Sequence, residues 1–199
     1  MQHQPRSSTM KTPRPLSNTR EKIVGLAQNY IQGIGYHSFN YRQIAADLSI
    51  KNASIHHYFP AKDDLGLAVI EQAKTDFNAF TQSSASKSPT DRVEALLGIY
   101  RRYLEDGRKL CIVGSFGACY QDISPALQTA IDSHVEQIAT WLTSTFAEGL
   151  QTGEFTFKGT AEAMTSGWTS TLVGSLNIGR THGAKAFEQT LDYLRQSIH

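Results

Sequence analysis

Residues 40 to 65, NYRQIAADLSIKNASIHHYFPAKDDL, leave this chain few ways to fold. Asn40 suits an N-cap, and Gln43 three positions on completes the pattern of a capping box. Ile44, Ala45 and Leu48 then recur at the spacing of one buried helical face. A second helix is predicted over 52–58, and Pro60 ends it because proline cannot continue the hydrogen-bond ladder. Two short helices joined by a tight turn are a helix–turn–helix, a unit that lays its second helix in the DNA major groove. Lys51, Asn52, Ser54, His56 and His57 supply donors for phosphates or base edges there, and Ala53 keeps one position narrow. A packed helical hairpin with no nucleic-acid role has the same periodicity, so the pattern alone leaves both readings open.

Charge placement favours the first. The whole chain carries a net charge of only +1. Residues 1–62 hold eight Lys or Arg against two acidic residues, net +6, whereas the remaining 137 hold eleven against sixteen, net −5. Attraction to phosphate is what a chain polarised in this way gains.

With the preceding stretch TREKIVGLAQNYIQGIGYHSF, residues 19 to 65 closely resemble the N-terminal domain of TetR-family transcriptional repressors. The family pattern is an opening helix ending at Gly, then T-x-x-x-I-A-x-x-L-G-V-S, then Y/H-x-H/Y-F-x-x-K-x-x-L. Gly35, Ile44, Ala45, Leu48, Ile50, His56, Tyr58, Phe59, Lys62 and Leu65 carry it here, with Asn40 in place of Thr and Ser49 in place of Gly. The resemblance implies a homodimeric, ligand-responsive repressor that binds a near-palindromic double-stranded operator and is released by a small-molecule inducer. On that footing the DNA contacts fall to Arg42, Gln43, Lys51, Asn52, Ser54, His56, His57, Tyr58 and Lys62, the last two mainly for phosphates.

Past residue 65 the chain reads as helix after helix, over about 61–82, 89–106, 125–151, 159–180 and 184–197, so the expected fold class is all-α. Ser88-Pro89 and Ser124-Pro125 are N-cap and first-turn pairs, and Gly107 and Gly153 are stops. The expected organisation is a basic N-terminal arm over 1–16 and a DNA-binding domain over 17–77 with its motif at 40–59. A helical ligand-binding and dimerisation domain would occupy 78–199. No apolar run approaches the roughly 20 residues that span a bilayer, and the polar opening stretch has no signal-peptide core. Two cysteines eight residues apart make no disulfide framework, which points to the cytoplasm. His56-His57 lack zinc-ligand spacing, no glycine precedes a Lys-Ser/Thr pair, and Ser115 has no nucleophile-elbow context. Neither an enzyme nor a cofactor or metal protein is therefore expected.

Residues 109 to 155 resemble one subset of the family, which carries G-C-L-x-x-x-x-A-x-E-x-x-D-x-S-P-x-L at this place. Cys111, Asp122, Ser124, Pro125, Leu127, Gly153 and Glu154 match, while Leu110 replaces Gly and Cys119 replaces Glu. Some members of the subset are electrophile or oxidant sensors with the reactive cysteine where Cys111 lies. Arg108, Lys109 and a helix start would each favour its thiolate, whereas a free cysteine is ordinarily a small core residue. Tyr100, Phe116, Tyr120, Met164 and Trp168 either line the inducer cavity that the resemblance implies, for a hydrophobic or electrophilic ligand, or are plain core. In the family the last two helices pair with those of the partner as a four-helix bundle. Leu172, Ser175, Gly179, Phe187 and Leu191 are the residues expected to carry that dimer face.

Overall fold

The computed structural model describes residues 16–199, and these form nine α-helices, one 3-10 turn and no strand. The arm expected over 1–16, with Arg6, Lys11 and Arg14, lies up to residue 15 outside the described residues. Helix α1 (Leu16–Ile34) buries Ile23, Val24, Ala27 and Ile31, one side of a 3.6-residue period. The isoleucine and valine side chains removed from water contribute roughly 1.5–3 kcal/mol each, offset by the entropy of ordering them.

Helix α2 (Tyr41–Asp47) begins at the expected capping box. Asn40 Oδ1 accepts from the Arg42 and Gln43 amides at 3.0 and 3.3 Å, and Gln43 Oε1 accepts from the Asn40 amide at 2.8 Å. It ends in a Schellman turn, with Ile50 N–H donating to Ala45 C=O at 3.0 Å and Ser49 N–H to Ala46 C=O at 3.1 Å. That turn puts Ser49 at φ 53°, a left-handed conformation that glycine adopts without steric cost. Helix α3 (Asn52–Tyr58) coincides with the expected span, and α4 (Lys62–Ser84) starts after Pro60.

Helices α5 (Pro89–Glu105) and α7 (Pro125–Thr152) are capped by the Ser88 and Ser124 hydroxyls. Between them lie α6 (Ile112–Gly117) and the 3-10 turn Tyr120–Asp122. Helices α8 (Ala161–His182) and α9 (Ala184–Gln196) close the chain. Gly149 is required where α7 passes the Phe155 ring, since a Cβ there would lie 2.0 Å from Phe155 Cδ2.

Two hydrophobic clusters result. One joins α1–α4 to Ile112 and Phe116 of α6 and to Ile123, Leu127 and Ile131, so the helix–turn–helix end is packed onto the rest. The other gathers α5, the second half of α7, α8 and α9. A polar clasp links them. The Gln32 carbonyl, one of the orphan acceptors at the end of α1, receives the Leu110 amide and Arg180 Nη2, both at 2.9 Å. Lys109 Nζ reaches Asn29 Oδ1 at 2.9 Å, and Arg180 Nε donates to Arg108 C=O at 2.9 Å.

The expected dimer face needs correcting. Leu172, Ser175, Gly179, Phe187 and Leu191 are all buried within their own chain, where α8 packs on α9, α5 and α7. Sequence periodicity locates an apolar face but not its partner, and here the protomer itself uses it. The opposite side of α8 presents Ala163, Gly167, Ser170, Gly174 and Ile178, and Ile178 is 42% exposed.

Candidate nucleic-acid interface and ligand cavity

At the α2–α3 end, Phe39, Asn40, Tyr41, Arg42, Asn52, His56 and Lys62 outline a groove. Its floor is set by Tyr41, whose buried hydroxyl lies 2.7 Å from the Ala61 carbonyl and 3.1 Å from that of Phe59. Burial pushes this phenol up to about 12, so it stays a neutral donor. The His56 ring rests on the Tyr41 ring with centroids 4.8 Å apart. Arg42, Lys51, Asn52, His56 and His57 are exposed, while Gln43, Ser54 and Tyr58 are half-buried. Gln43 spends its carbonyl oxygen on the cap and keeps its NH2 donors. Nearby acids have partners of their own. Asp63 is held below the usual carboxylate range, chiefly by the Ser124 hydroxyl and then by the Tyr36 phenol at 2.6 Å, while Asp47 accepts from Tyr30 at 2.8 Å. The groove thus shows donors and cations with little competing negative charge.

Lys62 departs from the expectation that it serves phosphates. Its Nζ donates to the Phe39 carbonyl at 2.8 Å and to that of His37 at 3.3 Å, and it lies 4.4 and 5.0 Å from the ring centroids of Phe39 and Tyr36. Burial lowers its pKa against the opposing pull of Asp63. The ammonium ties the 35–39 turn to the start of α4, which occupies two of its three donors. Arg20, not singled out from sequence, holds its guanidinium 5.1 Å from the Phe59 ring centroid at the end of α3.

A cavity of about 690 Å³ lies where the two clusters meet. Its wall draws Gln28 from α1, Phe77 and Phe80 from α4, Ile99, Tyr100 and Tyr103 from α5, Cys111, Ile112 and Val113 at α6, and His134 from α7. Burial pushes the Tyr100 phenol well up and that of Tyr103 to about 12, raises the Cys111 thiol, and lowers His134. Every titratable group in the interior wall is therefore uncharged near neutral pH. The charged lining residues, Asp76 and Arg102, are exposed.

Tyr100 and Cys111 thus line the cavity, but four other expected residues do not, Met164 among them, which packs against the second cluster. Phe116 packs against Tyr36 in the first cluster with centroids 5.2 Å apart. Tyr120 donates to Asp132 at 2.8 Å outside the cavity. Trp168 is buried in the second cluster, its Nε1 donating to Ser197 Oγ at 3.0 Å. The expected activation of Cys111 also fails on geometry. The residue is 6% exposed, and the thiolate would be favoured by the Gly114 amide, which donates to Sγ at 3.3 Å, by the Tyr100 hydroxyl and by the Cys111 and Val113 amides. Arg108 and Lys109 turn away, to the Arg180 carbonyl and to Asn29 and Asp106. Burial outweighs the helix start, and the thiol stays protonated. His134, Tyr103, Phe77 and Phe80 escape a reading of the sequence because their helices meet only in three dimensions. No helix among the described residues is long and apolar enough to cross a membrane.

A family model described as bacterial regulatory proteins of the tetR family matches residues 23–69. The HTH-type transcriptional regulator RutR of Escherichia coli strain K12 is 25% identical over 144 residues, 69% of this chain and 68% of RutR. Among solved structures, a TetR transcriptional regulator from Legionella pneumophila superposes with TM-score 0.82 at 27% identity, over 94% of this chain and all of that one. A TetR-family regulator from Agrobacterium tumefaciens gives TM-score 0.84 at 25% identity, over 92% of this chain and 99% of that one.

Proposed function

We propose that the chain is a ligand-responsive repressor of the TetR family of bacterial regulatory proteins, as the family model over residues 23–69 and the similarity to transcription regulators support. Two copies bind a near-palindromic operator, their α3 helices entering major grooves about 34–36 Å apart. The observation that carries this reading is the exposed donor surface of the α2–α3 pair, in a chain whose first 62 residues are net +6. Arg42, Lys51, Asn52, Ser54, His56, His57 and Tyr58 touch the DNA, with Gln43 adding its amide and Lys62 holding the unit in shape. We propose further that Arg6, Lys11 and Arg14 of the basic stretch over 1–16 add sequence-independent affinity for the DNA backbone.

Dimerisation uses the outer face of α8, where small side chains let two helices approach closely. The cavity takes the inducer. Its wall includes α1 and α4, so a ligand that prefers one setting of these helices shifts operator affinity, and operator DNA must shift ligand affinity by the same factor.

Binding to the DNA flanking the chain's own gene, followed against salt concentration, tests the reading. Arg42→Ala and Lys51→Ala are each expected to lower affinity about tenfold and to reduce the slope of log K on log salt by about 0.9 for each phosphate that is no longer neutralised. Unchanged slopes in both variants would mean that the interface lies elsewhere.

A further inference from the structure

Gln137, one turn after His134 on α7, sets the chemistry of the cavity wall. Its Nε2 donates to the Lys74 carbonyl at 3.2 Å and to Asn78 Oδ1 at 2.7 Å. A backbone carbonyl only accepts, so the NH2 of this amide must face α4 and its Oε1 must face the imidazole. That oxygen lies 3.0 Å from His134 Nδ1, which therefore carries the proton. His134 is 5% exposed, its ring is edge-on to Phe77 at 84°, and it lines the cavity. Nε2 is left as a lone-pair acceptor with no protein partner among the described residues.

Resting on the reading of this cavity as the inducer site, we propose that its ligand is an uncharged, largely aromatic molecule presenting one O–H or N–H donor to His134 Nε2. Phe77, Phe80, Tyr100 and Tyr103 offer ring faces and edges, and about 690 Å³ suits a ligand of two rings better than one. A carboxylate would meet the Nε2 lone pair and find no buried cation to pair with. An ammonium would find no buried acid, since Asp76 sits exposed at the rim. Because Gln137 hangs from Lys74 and Asn78, a donor drawn onto His134 also loads α4.

Titration calorimetry on the full chain with 4-phenylphenol, 4-methoxybiphenyl and biphenyl-4-carboxylate separates the terms of this proposal. The phenol is expected to bind at least tenfold tighter than the ether, which lacks the donor, and the carboxylate weakest of the three. In His134→Leu the phenol-to-ether ratio should fall to about one. Should that variant not fold, nitrogen-15 shifts of His134 in the unaltered protein read the tautomer directly. A protonated Nε2, equal affinity for phenol and ether, or a preference for the carboxylate would each overturn the assignment. Operator binding followed in parallel keeps the two readings apart: absent probe discrimination with DNA binding intact removes only the ligand class, whereas no salt-dependent DNA binding removes the repressor.

Discussion

Helix pairs α2–α3 and α8–α9 are built alike and used differently. Each is two helices joined at a residue with positive φ, Ser49 at 53° and Gly183 at 88°. The first pair is two seven-residue helices burying only Tyr41, Ile44, Ala45 and Ile55, so nearly all its polar side chains remain on the surface. The second, of 22 and 13 residues, turns its apolar side into the protomer and leaves small residues outside. Where helices are short, the exposed chemistry is the message. Where they are long, the conspicuous apolar residues describe the interior, and an interface has to be sought among the plain ones.

The sharpest way to break this contrast is to put a charge on each side of α8. Leu172→Glu would bury an unpaired carboxylate at a site 2% exposed and should cost about 4 kcal/mol or more, seen as disappearance of the cooperative thermal transition. Ile178→Glu should melt close to the unaltered protein yet sediment as a monomer with weakened operator affinity. A well-folded monomeric Leu172→Glu would restore the inner face as the dimer seam. On the α2–α3 side, Lys62→Met removes charge-assisted bonds to two carbonyls and should cost about 2 kcal/mol by denaturant titration. The salt slope of DNA binding should hardly change, and a slope shallower by about 0.9 would show that Lys62 reaches a phosphate after all. The smallest effect is Ser49→Gly. Relief of the left-handed strain, less the extra freedom of glycine in the unfolded chain, should stabilise by about 0.5 kcal/mol. Destabilisation would mean that the Ser49 side chain has a stabilising partner of its own.

Legibility follows the range of the interactions involved. Asn40, Ser88 and Ser124 are readable as caps because a cap bonds an amide two or three residues away. The end of α3 is readable because the effect of Pro60 is local as well. Lys62 misleads because the carbonyls it bonds lie 23 and 25 residues upstream. Cys111 misleads for the same reason: its neighbours in sequence are cations, but its neighbours in space include Tyr100 and the α6 backbone. The cavity draws on five helices, so no single helical pattern announces it, and the His134 tautomer depends on atoms of α4 some 60 positions away.

Helix α4 runs unbroken through 23 residues, from Lys62 beside the recognition pair to Ser84 past the cavity. At 1.5 Å per residue that is a rod of about 34 Å. Tilting such a rod by roughly 5° about its cavity end carries the other end through about 3 Å. In the proposed two-fold pair the dyad repeats the displacement in both copies, so the separation of the recognition helices would change by up to about 6 Å against a groove repeat of about 34 Å. On the proposed function, a rearrangement no larger than one side chain settling against the middle of the rod would thereby be magnified into a misfit of about a sixth of a helical turn of DNA.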